Sequence, residues 1–233
     1  MSLPGPVAEW PAAFDCYLDR ALPPGVTVPT SVRVGQSGEM WRKPGGRSLR
    51  FTAVEEFAVD EVSFCWRARF PILPPISVRV VDRYAGGHAL LEARLLGLVP
   101  VLHASGQKVA EGEAMRYLAE LPWVPHALLV NDELRFRELD ARTVEVATQV
   151  GATRVAVQLA FDASGDLDEV FAEARPRAVG KEFVPTPWSG RFGDYATVGG
   201  IRVPTLAEVS WELEDGPFTY WRGRITSLEL VPA

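Results

Sequence analysis

The stretch VRVVDRYAGGHALLEARLLG, residues 78–97, decides the class of fold that the sequence predicts. β-Branched, aromatic and aliphatic residues stand on both sides of Gly86-Gly87. A Gly-Gly pair readily supplies the positive φ that a tight hairpin turn needs. The stretch therefore predicts two antiparallel strands. Gly199-Gly200 predicts a second turn of this kind, and short runs with a two-residue alternation follow one another from Val32 onward.

Two segments interrupt this pattern. Residues 9–22 carry apolar side chains at helical spacing and are followed by Pro23. Residues 107–121, QKVAEGEAMRYLAEL, form a second amphipathic pattern that Pro122 ends. Strands and helices do not alternate, which disfavours a parallel sheet. The prediction is a mainly β (α+β) fold: a single large curved antiparallel sheet or half-barrel of about ten strands, with a central lid helix and an N-terminal helix.

The same pattern predicts the domain organisation. Residues 1–30 are expected to form the N-terminal helix and a linker, and residues 31–233 a single curved antiparallel β domain with its helix at about 107–121. No repeat of fixed period and no low-complexity linker interrupts the second range.

Composition excludes several function classes. The chain has 24 Lys and Arg against 30 Asp and Glu, a net charge of -6, and no long basic run, so nucleic acid is not an expected partner. No run approaches the roughly 20 apolar residues of a membrane span, and the start has no export signal, so a cytoplasmic location is expected. Cys16 and Cys65 are expected to be free thiols.

Motifs for cofactors and catalysis are absent from the sequence. The three histidines lack metal-ligand spacing, and the chain has neither a G-x-S-x-G elbow nor a glycine-rich nucleotide motif. We therefore expect no metal, no cofactor and no assigned catalytic residue.

The helix at 107–121 leaves two interpretations open. Glu113, Arg116 and Glu120 share one arc beside its apolar face. Charges in such an arc usually form a solvated face with weak ion pairs. Alternatively, the helix lies across the open sheet and points Arg116 and Glu120 into a cavity. Arg116 between two carboxylates would lower the pKa values of both, which favours a structural ion cluster over acid catalysis.

Five phrases together resemble an uncharacterised bacterial family of unknown function, from about residue 62 to 211. They are FCWRARF, VRVVDRYAGGHALLEARLLG, MRYLAELPWVPHALL, PWSGRFGDY and GGIRVPTLAEVSW. That family is similar in organisation to periplasmic lipoprotein carriers, whose curved antiparallel sheet holds acyl chains under a helical lid. The resemblance implies a fold and not an activity. Unlike the carriers, the chain is expected to carry no export signal and no lipobox cysteine, so lipoprotein transport itself is not expected.

Aromatic and polar residues expected to line the concave face make up the candidate ligand site. They are Trp66, Arg67, Arg69, Asp82, Arg116, Tyr117, Glu120, Trp123, His126, Trp188, Tyr195 and Trp211. In strand CWRAR, Arg67 and Arg69 share one face and could bind a carboxylate or phosphate headgroup. His126 is expected to bond to a nearby backbone group.

The leading hypothesis is non-catalytic binding of an apolar or amphipathic, lipid-like small molecule in a cavity beneath residues 107–126. One alternative is a protein-interaction or assembly module, including a homo-oligomer, that pairs through an exposed strand edge or apolar patch. A less favoured alternative is a hydrolase that uses polar groups at the lid helix.

Overall fold

The structure is a computed structural model and describes residues 10–232. Its helices are α1 (Ala12–Ala21), α2 (Gln107–Ala119) and α3 (Ala127–Val130), with a 3-10 turn at Leu121–Trp123. Its strands are β1 (Ser31–Met40), β2 (Leu49–Ala58), β3 (Phe64–Leu73), β4 (Ile76–Ala85), β5 (His88–Leu95), β6 (Val99–Ser105), β7 (Arg135–Asp140), β8 (Thr143–Val150), β9 (Thr153–Phe161), β10 (Leu167–Val179), β11 (Glu182–Val198), β12 (Ile201–Leu213) and β13 (Gly216–Val231).

All of these strands belong to one antiparallel sheet. Its order is β6-β5-β4-β3-β2-β1-β13-β12-β11-β10-β9-β8-β7, so it consists of two meanders that meet where β1 pairs with β13. The predicted mainly β fold with a single curved antiparallel sheet is confirmed. The predicted number of about ten strands was too low, since the sheet has 13 strands.

The connection between the two meanders explains the position of the central helix. Strands β6 and β7 are the two edges of the sheet, so the chain between them must span its whole width. This connection, residues 106–134, is called the crossing segment below. It runs over the inner face, and α2 contacts strands near both edges, β4 to β6 and β8 to β10. The sheet therefore curves around it without closing.

Most of the core lies between the crossing segment and the inner face. Leu118, Leu121 and Val124 are fully buried there, against residues such as Phe57. The expected cavity beneath residues 107–126 is thus filled by side chains. Two depressions of about 460 and 560 Å³ are lined mainly by side chains of the outer face of the sheet.

The N-terminal helix completes this core. The ring of Phe14 packs edge-on against Phe136 and Phe161, with centroids 5.0 and 5.9 Å away, and the Tyr17 hydroxyl donates to the Pro122 carbonyl oxygen at 3.3 Å. The predicted helix at 9–22 is thus found at Ala12–Ala21, although residue 9 lies outside the described residues. Within residues 10–232, no helix is long and apolar enough to cross a membrane.

Candidate functional site

Arg116 of α2 is the centre of a buried ion cluster between the crossing segment and the sheet. Its Nη2 donates to Glu55 Oε1 at 2.6 Å, its Nη1 to Asp82 Oδ2 at 2.8 Å, and its Nε to Glu120 Oε1 at 2.9 Å. The Glu55 side chain is fully buried, and that of Arg116 is only 17% exposed. One guanidinium therefore binds three carboxyl groups, one from its own segment and two from different strands.

Side chains of the sheet beneath the cluster hold the Glu55 carboxyl group in place. Trp66 Nε1 donates to Gln36 Oε1 at 2.8 Å, and Gln36 Nε2 donates to Glu55 Oε2 at 2.8 Å. The guanidinium carbon lies 4.7 Å from the ring centroid of Phe64 and 5.4 Å from that of Trp66. Aromatic faces at such distances attract a cation, and more strongly where water is excluded. The sheet thus presents a preformed place for this cation.

Burial and mutual repulsion raise the carboxyl pKa values of the cluster. For Asp82, burial raises the pKa from 3.8 to about 8, Glu113 adds to the increase and Arg116 opposes it. Burial likewise raises the pKa of Glu55 well above its ordinary value and also raises that of Glu120. Arg116 acts to lower the pKa of Glu120 as expected, but desolvation outweighs this attraction, so the net change is upward.

The orientation of the charged arc is now defined. Arg116 and Glu120 face the sheet, and Glu113 Oε2 is buried without a hydrogen-bond partner among the described residues. The interpretation of this arc as a solvated face was therefore wrong. The helix packs with both its apolar and its charged side inward, since the inner face supplies partners for both.

The twelve predicted site residues separate into several groups. Four meet in the ion cluster: Trp66, Asp82, Arg116 and Glu120. Tyr117 and Trp123 anchor the crossing segment beside it, donating to the carbonyl oxygens of Ala58 and Pro204, both at 3.0 Å. Arg67 and Arg69 do not join the site. They alternate with the buried Trp66 and Ala68 and lie exposed on the outer face, so they share a face as expected, but it is the wrong one for the concave site.

Trp188 and Trp211 form a second group with an arginine that sequence reasoning missed. They are direct cross-strand partners on β11 and β12, and the guanidinium carbon of Arg175 lies 4.8 and 5.6 Å from their ring centroids. Arg175 Nε and Nη2 donate to the Gly112 carbonyl oxygen at 3.2 and 3.1 Å. Tyr195 belongs to neither group, and its hydroxyl donates to the Leu167 carbonyl oxygen at 2.8 Å.

A β-bulge explains why Arg175 was missed. Simple alternation from the buried Val170 and Ala172 would place Arg175 on the outer face. The register with β11 shifts between Ala172 and Arg175, which turns Arg175 and Arg177 inward. Glu55 was also missed, although Ala53 and Phe57 alternate with it and signal its inward direction.

His126 lies in the crossing segment next to the 3-10 turn and is fully buried. Neither ring nitrogen has a hydrogen-bond partner within the described part of the chain, so the expected backbone bond is not formed. Burial lowers the pKa of His126 below its ordinary value of 6.5. The ring is therefore neutral at physiological pH, with two polar atoms whose desolvation is uncompensated.

Replacing His126 with Leu is expected to raise the free energy of unfolding by about 1–2 kcal/mol, because it removes these buried unpaired nitrogens and keeps an apolar side chain. Urea denaturation at pH 7.5 measures the change. The exposed His88 provides the control, since H88L should change stability by no more than about 0.5 kcal/mol. A clear loss of stability in H126L would mean that the ring has a polar partner.

The chemistry available to the ion cluster is limited by its enclosure. Among residues 10–232, no group of three or more His, Cys, Asp and Glu side chains is arranged to hold a metal ion. Burial raises the carboxyl pKa values of Glu55, Asp82 and Glu120, but Glu55 is fully buried and Asp82 is 7% exposed, so neither has open access to a substrate. The cluster is therefore suited to holding the crossing segment against the sheet.

Comparison with known proteins identifies the family. A model described as a family of unknown function, DUF6920, matches residues 4–230. The chain belongs to DUF6920. This confirms the resemblance to an uncharacterised family that the sequence motifs indicated. No curated protein matches the sequence significantly.

Two solved structures are similar to this DUF6920 protein over most of its length. A LolA superfamily protein from Nitrosomonas europaea is 11% identical, with a TM-score of 0.47, over 95% of this chain and 93% of that chain. A DUF1329 family protein from Desulfovibrio piger is 9% identical, with a TM-score of 0.47, over 94% of this chain and 92% of that chain. At these identities the similarity concerns the course of the chain.

Proposed function

We propose that the inner face of the sheet binds an apolar or amphipathic small molecule without catalysis. The observation that carries this proposal is an apolar lining that continues beyond the cover of the crossing segment. Its inward-facing side chains are only partly buried: Met40, Val78, Val80, Val209, Trp211, Phe218, Tyr220 and Trp221. Concave surfaces rich in aromatic and aliphatic side chains, with few polar groups, are the usual form of small-molecule sites.

Two arginines supply the polar groups beside this lining. Arg175 is buried against Trp188 and Trp211, and Arg177 is half-buried, with its guanidinium carbon 6.0 Å from the Trp211 ring centroid. Arg177 Nε donates to Thr186 Oγ1 at 3.2 Å, which leaves its other donors for a ligand. A guanidinium next to an apolar wall suits the carboxylate or phosphate of an amphipathic molecule. Arg175 and Arg177 thus take the role that the sequence suggested for Arg67 and Arg69.

The crossing segment controls how deep a ligand can enter. The space under Leu121 and Trp123 is filled, so a long alkyl chain that reaches it must displace this part of the segment. The apolar side chains of the sheet would then contact ligand methylene groups in place of the side chains of the crossing segment. Little buried apolar area would be lost in this exchange. The polar contacts of Arg116 with Glu55 and Asp82 would have to break in the same movement. We therefore regard the ion cluster as the element that holds the inner face closed.

Adjacent valines on β4 provide a matched test. Val80 faces the inner lining and Val81 the outer face, and both are half-buried. Binding of oleate is measured by titration of the intrinsic Trp fluorescence. V80Q places an amide against the alkyl chain at a cost of about 1–3 kcal/mol, so we expect binding that is about 5- to 150-fold weaker. V81Q should bind within twofold of the wild type.

Two results would contradict the proposal. One is equal binding by V80Q and V81Q, which would place the ligand elsewhere. The other is that the wild type binds neither oleate nor oleyl alcohol in a saturable way. Oleyl alcohol is included because it has the same alkyl chain with an uncharged headgroup.

A further inference from the structure

Three hairpins lie side by side at one end of the sheet. Residues 40–50, 69–79 and 94–102 contain the connections β1–β2, β3–β4 and β5–β6, and their flanking strands are neighbours in the antiparallel order. The Leu96 N–H donates to the Ser77 carbonyl oxygen at 2.8 Å and joins the second hairpin to the third. These three ranges are called the basic-apolar end.

Large apolar side chains project from this end. Leu98 is 77% exposed and Leu73 is 66% exposed, the highest values among the large apolar residues that the structure describes. Six further large apolar residues of this end are exposed: Ile72, Ile76, Leu96, Val99, Val101 and Leu102. Scattered exposed apolar residues are normal, but a contiguous group marks an interaction surface.

The same three ranges are strongly basic. They contain seven basic residues and no acidic one, in a chain whose net charge is -6: Arg42, Lys43, Arg47, Arg50, Arg69, Arg79 and Arg94. Arg69, Arg79 and Arg94 stand directly opposite one another across β3, β4 and β5. Within residues 10–232, Arg42, Lys43, Arg47 and Arg79 form no salt bridge. Like charges aligned across a sheet repel one another, which an anionic partner would relieve.

We propose that the basic-apolar end docks on the surface of an anionic lipid bilayer. Leu73 and Leu98 enter the interfacial region, and the surrounding Arg and Lys side chains meet the anionic headgroups. Apolar insertion and electrostatic attraction combine in this way at interfacial binding sites. A single basic residue near an anionic membrane already contributes several-fold to binding, so a group of them provides charge complementarity that an apolar surface alone lacks. The docking end includes Met40 and Val78 of the inner lining, but the side chains that enter the bilayer, Leu73 and Leu98, are not part of that lining, so docking does not depend on a bound ligand.

The other half of the sheet offers a matched control. The β10–β11 hairpin also exposes apolar side chains, Val179 at 45% and Phe183 at 40%, but the charges of Lys181 and Glu182 between them offset each other. The next hairpin, β12–β13, carries Glu214 and Asp215 at its turn. This half thus shares the exposed apolar residues without the basic excess.

The test is co-sedimentation of the full chain with vesicles of phosphatidylglycerol and phosphatidylcholine, and with vesicles of phosphatidylcholine alone. Binding is expected only to the anionic vesicles, and 0.5 M salt should weaken it at least tenfold. Both L73S/L98S and R42S/K43S/R47S should reduce the partition coefficient at least tenfold. V179S/F183S should leave it unchanged within twofold. All substituted side chains are exposed, and thermal unfolding confirms that each variant folds.

Several results would overturn the proposal. The first is no binding of the wild type to anionic vesicles at low salt. The second is an equal loss of binding in V179S/F183S and L73S/L98S. The third is a wild-type oligomer in analytical ultracentrifugation that L73S/L98S abolishes while vesicle binding is unaffected, which would assign this surface to a second copy of the chain.

Discussion

Replacing Arg116 with Met is expected to lower the free energy of unfolding by about 3–5 kcal/mol at pH 7, because the buried oxygens of Glu55, Asp82 and Glu120 lose the hydrogen bonds that the guanidinium donates to them. Glu55 and Asp82 lie at 2.6 and 2.8 Å from the guanidinium and have little access to water. The variant also loses the contacts of the cation with the rings of Phe64 and Trp66. Urea denaturation followed by Trp fluorescence measures the change.

Two comparisons distinguish the stability lost with the contacts of the cluster from the general effect of removing an arginine. Arg67 is exposed on the outer face and forms no salt bridge among the described residues, so R67M should change stability by no more than about 0.5 kcal/mol. Combining R116M with Glu55→Gln and Asp82→Asn should recover part of the loss, since the amides carry no charge into the interior. If R116M and R67M had equal stability, the cluster would not hold the crossing segment.

The free energy of unfolding is expected to fall by about 3–5 kcal/mol as the pH rises from 5 to 8, since one pKa unit corresponds to about 1.4 kcal/mol. The pKa of Asp82 is about 8 in the folded protein against an ordinary 3.8. The folded state therefore retains a proton that the unfolded state releases on passing pH 4. Stability from this group is complete below about pH 4 and is lost as the pH rises to about 8. The raised pKa values of Glu55 and Glu120 act in the same direction.

Other groups act in different pH ranges. The lowered pKa of His126 makes stability rise with pH, but only below about 6.5, where the unfolded chain binds the extra proton. The pKa values of Glu145 and Asp166 are lowered below the ordinary carboxyl range, so their contribution is lost only as the pH falls below about 4. Above pH 6.5 the carboxyl groups of the cluster therefore dominate.

Neighbouring glutamates on β2 supply the control for the pH profile. Glu55 is buried in the cluster, whereas Glu56 is 41% exposed on the outer face beside Arg33. Denaturation at pH 5, 6, 7 and 8 should give a flatter profile for E55Q and for D82N than for the wild type. E56Q should keep the wild-type slope. A wild-type stability that rose steadily between pH 6.5 and 8 would contradict the raised carboxyl pKa values.

Much of the fold could be predicted from local sequence. The turn at Gly86-Gly87 and the alternation on both sides of it place Ala85 opposite His88, as the register requires. The strand count was underestimated because β1, β6 and β11 contain Gly or Pro residues that usually mark turns. The sequence indicated the helix but could not show that it spans the sheet from edge to edge, because this depends on which strands form the edges.

The site was predicted less completely, for identifiable physical reasons. Arg116 and Glu120 were correctly suspected, but the direction of the charged arc depends on partners from distant strands, Glu55 and Asp82. Arg67 and Arg69 were assigned to the concave face because alternation gives two faces without saying which is inner. Arg175 lies inward because of one bulge, and a bulge leaves no reliable trace in a single sequence.

Native mass spectrometry of the freshly purified wild type tests the central claim most directly, that the inner face binds an apolar or amphipathic small molecule. We predict a population with additional non-covalent mass that organic extraction removes and that incubation with oleate restores at a one-to-one ratio. The mass of the bare polypeptide alone, both after purification and after incubation with excess oleate, would contradict the claim.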